Sequence, residues 1–486
     1  MAPSVLIIGG GMSGLSAGIF SRMSGFDTKI LEMHSIPGGL CTAWNRKGYT
    51  FDLCIHWLTS SRPGSAMYRL YEEVGLIQGL ELVTPEYWKK VKEEQGNELT
   101  MYYELDKLKS ELLRLSREDS TFISGFCNDI KKIRKMQVPV DLTLLDKIKF
   151  IPIISVLKKY QVDNLSVVSQ VQNPVLRKLL SAGLDWEGQS VFFTLMGFAL
   201  QGAGNAGYPI GGSLPLAKSM EKRFLELGGS IQYKSKVESI TTDNNRATGV
   251  RLSDGTLLSA DCVISCADGH STIFDWLRGE YCDDTIKGYY KNLKPFPPII
   301  FVSLGLNRSL ADIPKNLTVI FNNPVMIGGT EQKTITFRNH SNDPTLYPEG
   351  KGIITTWLPV NYEWWDQLDY QGELYKVEKE KALQQVINLL LNEFPDLSGT
   401  IEVTDVATPM TFVRYTGNWK GSYEGWLVTP GSFFFELPLK LPGLTRFYMA
   451  GQWTTTGGGI PGSIKSGRSA VKSMCKELNQ PFKGKN

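Results

Sequence analysis

The densest set of chemistry-bearing residues lies near the N-terminus, where Gly9-Gly10-Gly11-Met12-Ser13-Gly14 follows the apolar run Val5-Leu6-Ile7-Ile8 and leads into small residues through Ala17 and Gly18. A glycine turn between a strand and a helix serves phosphates. Gly9 permits the tight turn, Gly11 lets the backbone approach a pyrophosphate, and Gly14 lets helix and strand pack closely. The helix start then offers free N–H groups and the positive end of its dipole. Glu32 stands 18 residues past Gly14, at the end of a second run, Thr28-Lys29-Ile30-Leu31. A carboxylate there accepts from a ribose diol and repels a 2′-phosphate, so order and spacing predict a β-α-β dinucleotide site. A second literal match, Gly202-Ala203-Gly204-Asn205-Ala206-Gly207, runs straight into Tyr208-Pro209, and the proline biases its predecessor away from helical angles. It reads as a loop, leaving one dinucleotide and no resident nicotinamide.

These residues need elements to hold them. Arg446 to Gly451 reads as a strand, and Gly457-Gly458-Gly459-Ile460-Pro461-Gly462-Ser463 then opens a helix, Ile464 to Leu478, repeating the logic of the first unit. Strands are also predicted at Gly229 to Val237, at Ala247 to Leu258 with a hairpin signal in Ser253-Asp254-Gly255-Thr256, and at Val263 to Ala267. Positions 86 to 204 read as mostly helical, as in Leu105 to Arg117 and Phe122 to Lys135. Positions 286 to 428 are rich in aromatic and β-branched residues, among them Trp357, Trp364, Trp365, Trp419, Tyr423 and Trp426. The expected fold is α/β: a discontinuous Rossmann-like dinucleotide domain from 1–75, 205–285 and 429–486, with an inserted mixed α+β substrate domain and helical lid from 76–204 and 286–428.

Composition narrows the partners. In 486 residues, 52 Lys plus Arg against 49 Asp plus Glu leave +3, which argues against a nucleic-acid binder. The 7 cysteines show no framework spacing, which suits a reducing compartment, and Cys262 and Cys266 lack a second pair or spaced histidines, so no metal is predicted. No leader and no spanning segment are read, and the expected location is the cytoplasm. The run Lys147 to Lys159, apolar between lysines, reads either as a segment resting on a membrane surface or as core with snorkelling lysines; Pro152 argues against a clean helix through its centre.

Four motifs in order, Glu32 with Gly38-Gly39, Gly48-Tyr49-Thr50-Phe51-Asp52-Leu53-Cys54-Ile55-His56-Trp57, Tyr208-Pro209-Ile210-Gly211-Gly212 and the run ending Pro461-Gly462, give a resemblance that spans nearly the whole chain. It resembles flavin-dependent phytoene desaturases, carotenoid isomerases and retinol saturases, within the amine-oxidase-like flavoproteins. The resemblance implies FAD, with Gly9, Gly11, Met12, Ser13 and Gly14 at the pyrophosphate, Glu32 at the adenosine ribose, and Val237 at the adenine. Gly38-Gly39-Leu40 would run beside the ribityl chain and isoalloxazine. Gly451, Gly459, Ile460 and Gly462 would complete the site, the last helix aiming its N-terminus at the pyrimidine edge.

The implied reaction is hydride exchange with carbon–carbon double bonds of an apolar polyene or isoprenoid-like lipid, as desaturase, saturase or isomerase, with the electron acceptor unassigned. Amine oxidation, and a non-catalytic lipid-binding role like that of Rab escort and dissociation-inhibitor proteins, are the alternatives. His56 stands as a proton relay or as a neutral structural histidine, and Arg414 and Tyr415 as cavity residues or as a surface-strand arginine and a packed tyrosine. Trp364-Trp365 reads as tunnel wall or as core, and Cys41 with Cys54 as a redox pair or as inert thiols. Two departures from the family pattern stand out: Cys54 replaces a usual glycine, which bears on the loop near His56, and Gln452 replaces a common acid.

Overall fold

The computed structural model describes residues 2–141, 151–184, 188–432, 435 and 437–485. Its first layer is a five-stranded sheet in the order Ser230–Gln232, Asp27–Leu31, Ser4–Ile8, Cys262–Ser265 and Phe447–Met449, all parallel. The central strand is apolar at every position from Val5 to Ile8 because both of its faces are covered. Val5 and Ile7 face one way, into a cluster with Leu15, Ile19 and Ile464 from the helices Met12–Met23 and Gly459–Glu477. Leu6 and Ile8 face the other way, onto Val237, Ile240 and Val250 of a three-stranded antiparallel sheet. That small sheet contains the expected hairpin, Arg246–Leu252 paired with Leu257–Ser259.

A second, seven-stranded sheet has the order Ile401–Ala407, Ile299–Leu306, Gly352–Pro359, Thr330–Asn339, Asn316–Ile327, Tyr87–Glu93 and Glu98–Tyr102. The last two strands correct the helical reading of 86–204. Tyr87–Glu93 lies parallel to Asn316–Ile327, and a turn with Gly96 at φ +93 folds Glu98–Tyr102 back on it. The rest of that stretch is helical, including Leu105–Leu115, Ser120–Ile133 and Val191–Gly202, around a buried cluster of its own. Helix Ile151–Tyr160 carries Pro152 in its first turn, where no intrahelical N–H bond is needed, and buries Ile153, Val156, Leu157 and Tyr160. Residues 147–150 of the lysine-flanked run lie outside the described residues. Among the described residues no helix is long and apolar enough to cross a membrane.

The second GxGxxG match closes helix Val191–Gly202 and enters strand Ala206–Pro209, which pairs with Leu58–Thr59 and Leu82–Val83. The last helix begins at Gly459, ahead of the expected Ile464. Trp365 is fully buried against Tyr375 in the core of the larger sheet and Trp364 packs over Gly329, so this pair is core.

Candidate functional site

A cavity of about 1230 Å³ runs from Glu32 and Val237, past the glycine turns, to Trp57 and Trp88. Its narrow end is built by backbone. Gly9, at φ +97, ends the first strand, and a Cβ on Gly14 would lie 1.9 Å from the Gly9 carbonyl oxygen, so helix and strand approach each other only with glycine there. Gly11 caps helix Met12–Met23 with no side-chain bond to its first N–H groups, and the place a Gly11 Cβ would take meets only the Gly38 carbonyl oxygen at 3.8 Å. This helix start, with Gly11, Met12 and Ser13, lines the cavity, where such N–H groups suit a phosphate. The Gly38 N–H donates to the Gly10 carbonyl oxygen at 2.9 Å, which lays Gly38-Gly39-Leu40 along the same wall.

Glu32 is held at the end of that wall. Its Oε2 accepts from the Gly10 N–H at 2.6 Å and its Oε1 from the His34 N–H at 2.7 Å. Burial raises its pKa above the ordinary carboxylate value, and these backbone N–H bonds oppose the rise. The Ser235 N–H donates to the Glu32 carbonyl oxygen at 2.9 Å, which brings Val237 to the cavity beside it.

Most residues singled out from sequence meet here. Gly9, Gly11, Met12, Ser13, Glu32, Gly38, Gly39, Leu40, Val237, Gly459, Ile460 and Gly462 all line the cavity. Gly14 and Gly451 stand behind it. Gly451, at φ +111, donates its N–H to Ser466 Oγ at 2.8 Å, and a Cβ there would press on Ser13 Oγ at 3.2 Å.

At the wide end His56 lines the cavity with its ring centroid 4.3 Å from that of Trp357. Burial, with the positive charges of Arg338 and Lys89 nearby, holds its pKa well below the usual value, so the imidazole is neutral. Trp57 packs on Trp88 at 5.0 Å and Trp357 on Tyr423 at 5.1 Å, giving an aromatic wall from four separate stretches of chain.

Arg414 and Tyr415 both line the cavity and are exposed; they lie on a helix, Pro409–Thr416, which corrects the strand reading. Arg414 donates to Tyr370 Oη at 2.7 Å, and Tyr415 packs edge-on against His34, next to Glu32. The helix start carries a capping box of Thr408 and Thr411 and ends on Gly417 at φ +67, which turns this pair outward.

Cys54 does not need glycine's freedom: its φ is not positive, and its N–H donates to Asp52 Oδ1 at 3.2 Å. Asp52 also accepts from the Ser213 hydroxyl at 2.8 Å and from the Ser213 and Ile55 N–H groups, while burial pushes its pKa to about 6. Cys41 and Cys54 are both free, and the Cys41 thiol, donating to the Ser213 carbonyl oxygen at 3.4 Å, is pushed well up by its hydrogen bond with Cys54 and by burial, so it is not a thiolate at neutral pH. Gln452 lines the cavity and donates from Nε2 to Asn418 Oδ1 at 3.2 Å.

The sequence reading missed Glu424. It lines the cavity, with Oε1 3.0 Å from where a Gly459 Cβ would stand, and burial pushes its pKa to about 7. The one signal was an acid inside an aromatic run, Tyr423-Glu424-Gly425-Trp426.

The open cradle at Gly11, the fixed carboxylate of Glu32 and a second uncapped helix start at Gly458-Gly459 suit a long dinucleotide with a ring system at its far end. FAD fits these residues. A family model described as flavin-containing amine oxidoreductase matches residues 12–475. The lycopene-forming phytoene desaturase of Paracoccus sp. is 24% identical, covering 98% of each chain. The chloroplastic prolycopene isomerase of Arabidopsis thaliana is 24% identical over 94% of this chain and 80% of that one. Among solved structures, cyclohexylamine oxidase from Brevibacterium oxydans superposes with a TM-score of 0.60 at 13% identity, over 99% of this chain and 100% of that one. A glycine cradle at the first strand, a fold shared with flavin oxidases and a family match across almost the whole chain agree: this protein belongs to the flavin-containing amine oxidoreductases and is an FAD-dependent oxidoreductase.

Proposed function

We propose that the protein adds, removes or shifts hydrogen at carbon–carbon double bonds of an apolar polyene or isoprenoid-like lipid. One observation carries this reading: a single cavity joins the glycine cradle to the wall of Trp57, Trp88, Trp357 and Tyr423. Such a wall suits a long conjugated chain, because mostly apolar sites with few polar groups bind apolar ligands. The relatives named above as a desaturase and an isomerase support it.

In this reading Gly9, Gly11, Met12, Ser13 and Gly14 hold the pyrophosphate, Glu32 the ribose, and Val237 the adenine. Gly38, Gly39 and Leu40 follow the ribityl chain, and Gly459, Ile460 and Gly462 meet the ring, with Gly451 supporting Ser13. FAD supplies hydride exchange. The chain supplies orientation and a dry aromatic wall, in which neutral His56 packs against Trp357 and would hold the polar end of a substrate that carries one. The flavin-holding part comprises 1–75, 205–285 and 429–486, and the substrate-holding part 76–204 and 286–428. We place the protein in the cytoplasm, collecting its lipid at a membrane surface through the side that exposes Ile154 and Leu165.

The test is the visible spectrum of the FAD-reconstituted protein during anaerobic mixing with phytoene, prolycopene, retinoids and simple amines. Flavin bands that bleach or recover with a polyene, or isomer formation without net flavin change, are expected. Reaction with an amine alone would overturn the substrate class.

A further inference from the structure

Glu424 differs from the other acids of the cavity. Glu32 is tied to the N–H groups of Gly10 and His34, and Asp268 to those of Ser271 at 2.7 Å and Trp419 at 2.9 Å. The Glu424 carboxyl has no such pair of backbone donors among the described residues, and burial raises its pKa. Its backbone is pinned. The Phe296 N–H donates to the Gly425 carbonyl oxygen at 2.7 Å, and a Cβ on Gly458 would lie 2.5 Å from the Glu424 carbonyl oxygen. The side chain therefore reaches along the wall to Gly459, the first residue of a 19-residue helix whose cap makes no side-chain bond. Burial favours the neutral acid and the helix start favours the carboxylate, which leaves both forms accessible at neutral pH.

We propose that Glu424 is the acid–base group of the cavity, exchanging the proton that accompanies each change in the substrate's double bonds. This rests on the reading of the cavity as a site for FAD and a polyene. In the desaturating direction two adjacent C–H bonds break and a C=C bond forms. Bound FAD would supply the two-electron acceptor for one hydrogen with its electron pair, and the Glu424 carboxylate takes the other as a proton. In the saturating direction the Glu424 carboxyl returns that proton, and in isomerisation it adds and removes one with no net oxidation. His56, being neutral and held far below its usual pKa, is the poorer proton carrier. Other titratable side chains lining the cavity are Asp268, Asp275, Tyr423 and Lys465.

Two measurements test this. In apoprotein carrying ¹³C at the glutamate side-chain carboxyl, one NMR resonance is expected to titrate near pH 7 and to vanish in Glu424→Gln. In the FAD-loaded protein, Glu424→Gln is expected to retain its flavin yet lose about 100-fold of the rate at which phytoene is desaturated or prolycopene isomerised, with Glu424→Asp recovering part. Every glutamate titrating in the ordinary carboxylate range, or a wild-type rate in the Gln variant, would overturn the role of Glu424. A wild type that reacts with no polyene contradicts the substrate reading instead, and the NMR titration tells the two failures apart.

Discussion

At one end of the cavity the surface is backbone, with Gly9, Gly11, Gly38 and Gly39 drawn from two short loops; at the other it is side chain, with Trp57, Trp88, Trp357 and Tyr423 drawn from four separate stretches. The first end leaves almost no room for substitution, since an added Cβ at Gly14 or Gly38 would stand 1.9 or 2.3 Å from a carbonyl oxygen. The second is shaped by contacts between rings 4.3 to 5.1 Å apart, which other side chains could reshape without breaking the fold. In the proposed reading the cofactor takes the rigid end and the substrate the adaptable one.

The largest effect that would break this contrast is expected at Gly14. Gly14→Ala should destabilise the protein by on the order of 3 kcal/mol, because the overpacked neighbour is main chain and cannot swing aside; a thermal melt that matched wild type would show the cradle to be softer than its geometry. Next comes Glu32→Ala, which leaves the Gly10 and His34 N–H groups without their acceptor and should weaken FAD about 10- to 100-fold, measured by flavin fluorescence.

A third effect concerns pH. The folded Glu424 carboxyl is shifted up to about 7 from 4.5, so the stability tied to it is fully present below the unfolded value and is lost as pH rises through the folded one. Apoprotein Glu424→Gln should therefore gain on wild type between these pH values, by about 3 kcal/mol at most. A melting-temperature difference that stays flat with pH would contradict the shift.

His56→Phe comes fourth. It should keep the fold and the shape of the pH–rate profile between about pH 5 and 8, since the imidazole is already neutral there. A limb that disappears in this variant would make His56 a titrating group after all. Arg414→Ala is the smallest, with stability changed by less than about 0.5 kcal/mol and turnover unaltered, because the side chain is exposed and bonded to Tyr370. A large loss of turnover there would give Arg414 a part in the chemistry.

What could be read from the chain follows the same division. Val5-Leu6-Ile7-Ile8, the glycine turn and Glu32 are local in sequence, and each needs only its neighbours to make a strand, a turn and an anchored carboxylate. Tyr87–Glu93 was hidden because its strand state depends on Asn316–Ile327, more than 200 residues away, with a bulge between Tyr87 and Lys90 that disrupts the period-2 pattern. Arg414 and Tyr415 were legible in principle: Thr408-Pro409 with Thr411, and Gly417 after the last turn, are a helix start and stop. Glu424 was not, since its role depends on Gly458 and Gly459 arriving from a later stretch of the chain to bury it.

The most direct test of a backbone-built dinucleotide cradle is titration of the apoprotein with FAD, followed by flavin fluorescence, in wild type and Gly11→Ala. The Gly11 side of the cradle is open, so the variant should fold and melt like wild type while binding FAD at least about 10-fold more weakly. Equal affinity in the two proteins, or no saturable FAD binding in wild type, would contradict the assignment of this cavity.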